Sequence, residues 1–272
     1  MTQVRPAAVS DLFYPASPAK LRRQVEQFLQ QARQRVQPRP QCPKVLVVPH
    51  AGYVYSGPVA ASGYVLLEPY REGIRRVVLV GTAHHAAGPG ALYSPHGEWA
   101  CPLGTFPVEV DTLAALHARG LARPDAAAHR REHSLEVQLP FLAVVLGSVP
   151  LVPLVVGRCS LEESRRLAEA LWPRQETLLV VSTDLSHYLP YELARQEDRR
   201  TAQVITRLAP EELQPEMTCG FYALRGVLGE ARRRGCQAEV IDLRNSGDTA
   251  GSRGEVVGYG SFAIYEPKQQ SA

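Results

Sequence analysis

The stretch KVLVVPHAGY, Lys44 to Tyr53, decides the fold. Val45, Leu46, Val47 and Val48 follow one another with no polar alternation, as in a strand buried on both faces. Pro49 ends the run, because it has no N–H for a further rung. Two more runs have the same character, Arg76–Gly81 (RVVLVG) and Thr177–Ser182 (TLLVVS). A fourth, Val149–Val156 (VPLVPLVV), is interrupted by Pro150 and Pro153, which predicts a sheet edge or a bulge. Helical patterns separate the runs at Leu21–Val36, Ser134–Leu146, Leu161–Leu171, Tyr191–Leu208 and Phe221–Arg233. Glu255–Tyr265 (EVVGYGSFAIY) alternates in part and reads as a last strand, after a polar, glycine-rich loop at Asn245–Gly254. Strands alternating with helices predict an α/β fold with a mixed or largely parallel central sheet covered on both faces.

With 272 residues the chain suits one large domain or two small ones, and no repeat, linker or composition break divides it, so one domain over 1–272 is expected. The net charge of +3 comes from scattered arginine, which leaves no nucleic-acid footprint. The densest basic run, Arg232 to Arg234, falls at a helix end where the dipole favours it. No apolar run approaches the roughly 20 residues of a membrane helix. The opening MTQVRPAAVSD lacks the apolar core of a signal peptide. Cys42, Cys101, Cys159, Cys219 and Cys236 are odd in number and widely spaced, with no CxxC, which suits a reducing cytoplasm.

The chemistry lies where the apolar runs end. The first runs into Pro49-His50-Ala51-Gly52-Tyr53, the second into Gly81-Thr82-Ala83-His84-His85, the third into Ser182-Thr183-Asp184-Leu185-Ser186-His187. Ligand crevices in open α/β sheets lie beyond the carboxyl ends of the strands, so parallel neighbours would bring these groups to one cleft. Each cluster has a plain reading alone. His50 suits a packed loop, Asp184 a turn cap, and an extended His84-His85 pair points its two rings apart. Their common position at strand ends favours a site. Cys219 precedes the helical run from Phe221, where the dipole and free amides would stabilise a thiolate. The other four cysteines read as small buried hydrophobes, and His96, His117 and His129 as loop or surface-helix histidines. His133 and Glu136, three apart on an expected helix, would line the cleft or hold a loop, and the structural role is favoured.

The motifs PHAGYVYSG (Pro49–Gly57), GTAHH (Gly81–His85), EHSLEVQLPFL (Glu132–Leu142), STDLSHY (Ser182–Tyr188) and TCG (Thr218–Gly220) resemble those of the Memo family, whose bacterial members are called AmmeMemoRadiSam system protein B. The resemblance runs in order from Phe13-Tyr14-Pro15 to the VGYGSFAIY strand. Thr82-Ala83 stands where relatives carry Pro-Ser or a similar pair, and TCGFYAL departs from many of them after the cysteine. The resemblance implies a fold similar to the class III extradiol dioxygenases, which hold non-haem Fe(II) with two histidines and a glutamate. For the Memo family it implies two histidines and a cysteine, which on this chain are His50, His84 and Cys219. Asp184 and His187 match further cleft residues, His187 in the place of the dioxygenase acid/base. The resemblance also implies iron or copper binding, oxidant generation, phosphopeptide binding in animal members and, through the bacterial name, a radical-enzyme partner.

Two neutral imidazoles and one anionic ligand leave open positions on a divalent metal, Fe(II) first, with Cu or Zn admitted by the softer thiolate. Asp184 would orient an imidazole and His187 exchange protons. Tyr53, Tyr55, His85, His133 and Glu136 are the further candidates for the cleft lining. Three functions stay open on these residues: a metal-dependent redox enzyme, a peptide- or small-molecule-binding module, and a metal-handling protein.

Overall fold

A computed structural model of the chain describes residues 3–85, 88–172 and 176–267. The strands are β1 (Val4–Arg5), β2 (Val45–Val48), β3 (Arg76–Thr82), β4 (Ala91–Tyr93), β5 (Glu98–Cys101), β6 (Gly104–Pro107), β7 (Ala122–Pro124), β8 (Leu151–Val156), β9 (Thr177–Ser182), β10 (His187–Pro190), β11 (Gln237–Asn245) and β12 (Glu255–Tyr265). The helices are α1 (Pro18–Arg33), α2 (Tyr53–Tyr64), α3 (Val110–Ala118), α4 (Ala126–Arg130), α5 (Leu139–Val145), α6 (Leu161–Leu171), α7 (Tyr191–Thr206), α8 (Phe221–Arg233) and α9 (Ser246–Thr249).

The main sheet runs β10-β12-β2-β9-β3-β8-β4-β7, with β11 added on β12. Its centre is parallel: β2 pairs β9, β9 pairs β3, and β3 pairs β8. Antiparallel β12 and β4 flank this centre, so the sheet is mixed. Every residue of β2, β8 and β9 is buried, as their unbroken apolar runs require. Val80, Val156 and Leu179 face α6 and α8. The opposite face meets α2, where Gly63 lies against Val48, and the segment before α5, where Gly81 lies against Ser134 and Leu135. A small second sheet, β1-β5-β6, carries the N-terminal strand. Among the described residues no helix is long and apolar enough to cross a membrane.

Local chemistry accounts for the helix bounds. Ser160 and Glu163 form a reciprocal capping box that starts α6 at Leu161. Pro18 starts α1 in the first turn, where its missing N–H costs nothing, so that helix begins earlier than the expected Leu21. Leu208, at φ 52, ends the α7 run. The expected helix Ser134–Leu146 divides into a 3-10 turn, Glu136–Gln138, and α5, with Pro140 in the first turn of the latter. His133 and Glu136 therefore do not share one helix face.

The edge or bulge expected for β8 is corrected. The strand is interior, between β3 and β4, and pairs in continuous register from Leu151 to Val156. Val77 N–H donates to the Pro150 carbonyl, so by the strand's alternation Leu151, Pro153 and Val155 turn away from β3. On that side β4 reaches only Val155 and Val156. Pro153 thus lacks its N–H where no strand would receive it.

Glu136 is the fully buried anchor of the N-terminal segment. Its carboxylate takes Arg5 Nη1 at 2.6 Å, the Tyr14 hydroxyl at 2.6 Å, and the backbone N–H groups of Ala8 and Val9, each at 2.9 Å to Oε1. Arg5, 3% exposed, also donates to the His129 and Glu132 carbonyls. Removing one partner of a buried pair strands the other charge, a loss of about 3–5 kcal/mol. Glu136→Ala should lower the unfolding free energy by that amount in urea denaturation, and a loss below about 1 kcal/mol would show that the anchor is dispensable.

Candidate metal centre

Because β2, β9 and β3 are parallel neighbours, their loops leave one edge of the sheet. His50, Asp184 and His84 each lie two residues beyond the end of their strand. The same offset on adjacent strands brings them together.

His50 is 2% exposed, and its backbone N–H donates to Asp184 Oδ1 at 2.8 Å. Its Nδ1 lies 3.1 Å from Ser182 Oγ. Ser182 has one proton, and it goes to the Ser134 carbonyl at 2.5 Å. Its oxygen already accepts from Gln138 Nε2 at 2.8 Å, so it meets His50 as an acceptor of Nδ1–H. The ring's Nε2 is left pointing inward. His84 is held likewise. Its backbone N–H donates to Glu132 Oε2 at 2.7 Å, and its Nδ1 to Oε1 at 2.9 Å. Glu132 is fully buried and also accepts from the N–H groups of His133 and Ser134. Gly81 makes room for this segment, since a Cβ there would lie 2.7 Å from Ser134 Oγ.

His133 completes a set of three imidazoles whose nitrogens lie within 4.8 Å of one another. Its ring stacks on His84 at 4.5 Å and on Phe13 at 4.4 Å, and meets His50 edge-on at 5.3 Å. Burial first, then the charges on His50 and His84, push its pKa down to about 3.

Cys219 reaches the same point from the far side of the sheet edge. Its Sγ is 3.4 Å from His50 Nε2, accepts from the Asp184 N–H at 3.3 Å and lies 3.4 Å from Thr183 Oγ1. Gly220 makes the approach feasible: its N–H donates to Thr183 Oγ1 at 2.7 Å, and a Cβ would stand 2.6 Å from that side chain. Burial opposes a thiolate here, but His50 and His84 overcome it and lower the pKa to about 5. In return the thiolate and Asp184 raise His50, and the thiolate and Glu132 raise His84, against burial in both cases.

Other candidates lie elsewhere. His85 is exposed, its ring 6.4 Å from both His84 and His133. Tyr53 is not cleft lining: it is 3% exposed, donates to the Val137 carbonyl at 2.6 Å and packs on Phe141. Glu136 turns to the N-terminal segment instead of the cleft. Tyr55 is 40% exposed at the start of α2. His187 heads β10, exposed, with its ring against Tyr188 at 6.1 Å. Tyr188 itself is 70% exposed and sits at φ 54, a strained backbone for a bulky residue. His129 is 1% exposed, not on the surface, with its Nε2 at the Leu92 carbonyl. Glu132 and Ser182 escaped the sequence reading, although both lie inside its motifs.

Burial pushes Cys42, Cys101 and Cys236 up to about 11, so Cys219 should be the one acidic thiol among the described cysteines. In metal-free protein, iodoacetamide should modify Cys219 selectively, and its rate should rise with pH through about 5 and stay level to neutrality. Peptide mass analysis across pH checks this; a rise only above about 8 would mean an ordinary thiol.

A family model described as "Memo-like protein" matches residues 5–263. A MEMO1 family protein of Caldivirga maquilingensis is 32% identical over 281 residues, covering 96% of this chain and 99% of its own. One from Methanopyrus kandleri is 32% identical over 282 residues, with 96% and 98% covered. Another, from Thermotoga sp. strain RQ2, is 34% identical over 279 residues, with 96% and 99% covered. The match spans both strand-end histidines, the Glu132 segment and Cys219, and the chain belongs to the Memo family.

Proposed function

We propose that the chain holds one divalent metal, Fe(II) first and Cu or Zn as alternatives, on His50, His84 and Cys219, and uses it in redox chemistry with O₂. The observation that carries this reading is the pre-set ligand geometry. Ser182 and Glu132 take the Nδ1 protons of His50 and His84, which leaves both Nε2 lone pairs for an ion. Two donors at about 2.0–2.3 Å from one tetrahedral ion stand about 3.5 Å apart. Cys219 Sγ and His50 Nε2 are separated by 3.4 Å. His133 is a neutral imidazole stacked beside His84 and is the alternative third donor.

Iron bound there would supply one-electron chemistry towards O₂, with positions left open by a three-ligand set. The chain's part is orientation and proton handling. Asp184 fixes the His50 loop through its backbone N–H. His187 is given proton exchange with ligand on the strength of the family resemblance. The thiolate makes the site electron-rich and is itself oxidisable. Failure of the iron-loaded protein to consume O₂ with any reductant would favour a binding or metal-handling role in the same cleft.

Elemental analysis should find roughly one metal per chain. His50→Ala and His84→Ala should lose it, Cys219→Ser should bind it weakly, and His85→Ala, His133→Ala and His187→Gln should retain it. Retention in Cys219→Ser with loss in His133→Ala would replace the thiolate set by the three-histidine set. If turnover is found, His187→Gln should slow it by about 10²–10⁴.

The Fe(II) form should reduce O₂ in the presence of an external reductant and cleave catechols little or not at all. After aerobic turnover Cys219 should carry one or more added oxygens. Vigorous ring cleavage, or an unmodified Cys219, would remove the thiolate from the chemistry.

A further inference from the structure

The two strand-end imidazoles are held by different chemistry. Glu132 meets His84 with a carboxylate, which only accepts, so Nδ1 of His84 has to donate whatever its other neighbours do. Ser182 meets His50 with a hydroxyl, which can donate as well as accept. A hydroxyl that turned its proton towards Nδ1 would move the ring proton to Nε2, the nitrogen that stands 3.4 Å from Cys219 Sγ. Another group must therefore settle which way Ser182 points.

That group is Gln138, buried at the end of the 3-10 turn Glu136–Gln138. Its Nε2 donates to the Pro49 carbonyl at 2.9 Å and to Ser182 Oγ at 2.8 Å, and its Oε1 accepts the Tyr64 hydroxyl at 3.0 Å. The Pro49 carbonyl can only accept, so it is the amide nitrogen that faces it, and the second proton of that nitrogen goes to Ser182. With one lone pair of Ser182 so occupied, and its proton taken by the Ser134 carbonyl at 2.5 Å, the hydroxyl has only acceptor capacity left for His50. Tyr64, the last residue of α2, is itself buried with its ring stacked on Phe141 at 5.0 Å, so the far end of the amide is fixed as well.

We infer that Gln138 is a positioning residue: acting through Ser182, it keeps a proton on Nδ1 of His50 and so presents Nε2 to the metal. The inference rests on the metal-site reading only for what Nε2 meets, because the proton on Nδ1 follows from these hydrogen bonds with or without an ion. Methionine fills the space of Gln138 without any donor. Glutamate has the same shape and still accepts from Tyr64, but its carboxylate brings no proton to Pro49 or Ser182. Either residue would free the Ser182 hydroxyl to turn. His84 depends on no such relay, because its carboxylate partner cannot reverse.

NMR of the ring protons tests this on protein labelled with ¹⁵N-histidine, metal-free and with Zn(II) added. In the wild type the His50 Nδ1–H should give a slowly exchanging signal in both forms. In Gln138→Met that proton should exchange at least about tenfold faster, the worth of one hydrogen bond. Zn(II) affinity, read by chelator competition, should fall about 10–100-fold, the range for losing a group that orients a ligand. Gln138→Glu should lose as much and decides the matter if the methionine variant does not fold. The His84 Nδ1–H should be unaltered in both, since Glu132 still holds it. Equal loosening of the His50 and His84 ring protons would overturn the inference, leaving Gln138 as a brace for its segment. An unchanged His50 signal or unchanged Zn(II) affinity in both variants would overturn it too, as would a wild-type zinc form with the His50 proton on Nε2. A wild type that binds no Zn(II), with a His50 Nδ1–H that still depends on Gln138, would sink the metal reading and keep this one.

Discussion

Parallel pairing of β2, β9 and β3 is the constraint on which the site depends. In an antiparallel arrangement alternate strand ends would face opposite ways, and His50, Asp184 and His84 would be divided between two edges of the sheet. Parallel pairing requires crossover connections, and those crossovers are the helices that bury both faces. The apolar runs that specify the sheet thus also determine where its polar ends converge. The register continues this control, because Val48 pairs with Ser182 and places the loop after β2 beside the loop after β9.

The segment Glu132–Gln138 ties this edge to the rest of the molecule. Glu132 holds His84 and shapes its own turn, Ser134 takes the Ser182 proton, and Gln138 donates to both Ser182 and the Pro49 carbonyl. Glu136, in the same segment, faces away and anchors the N-terminus through Arg5 and Tyr14. One short, irregular stretch therefore orients both strand-end imidazoles on one side and the first residues of the fold on the other. Its backbone is irregular through Ser134 and closes into a 3-10 turn at Glu136–Gln138.

Much of this was legible in the residues. β9, α6, α8 and β12 have the expected bounds, because each is an unbroken apolar or amphipathic run with a cap or turn at its end. Two prolines predict an edge for β8, but a missing N–H matters only on the side where a neighbour reaches, and there β4 meets only Val155 and Val156. α2 was not anticipated: Gly57, Pro58 and Gly63 disfavour a helix locally, and tertiary packing against β2 and β12 overrides them. EHSLEVQLPFL resembles an amphipathic start and predicts His133 on a helix, but Glu132 accepts the His133 N–H and the ring stacks on Phe13 and His84.

The electrostatics of the cluster explain why its parts belong together. A thiolate withdrawn from water is costly unless positive charge faces it, and two imidazoles that share one small volume repel one another when both are protonated. Protons on His50 and His84 stabilise Cys219, but they leave His133 unable to take a third, which is why its pKa falls while theirs rise. On the proposed reading, a divalent cation held in the middle would answer all of these demands at once: it would supply the positive charge for the thiolate and need both imidazoles neutral, which would remove the repulsion between them. The hydrogen bonds from Nδ1 to Ser182 and Glu132 remain in place in either state. The imidazoles are thus oriented by the protein's own groups, with the His50 and His84 backbone N–H groups held by Asp184 and Glu132.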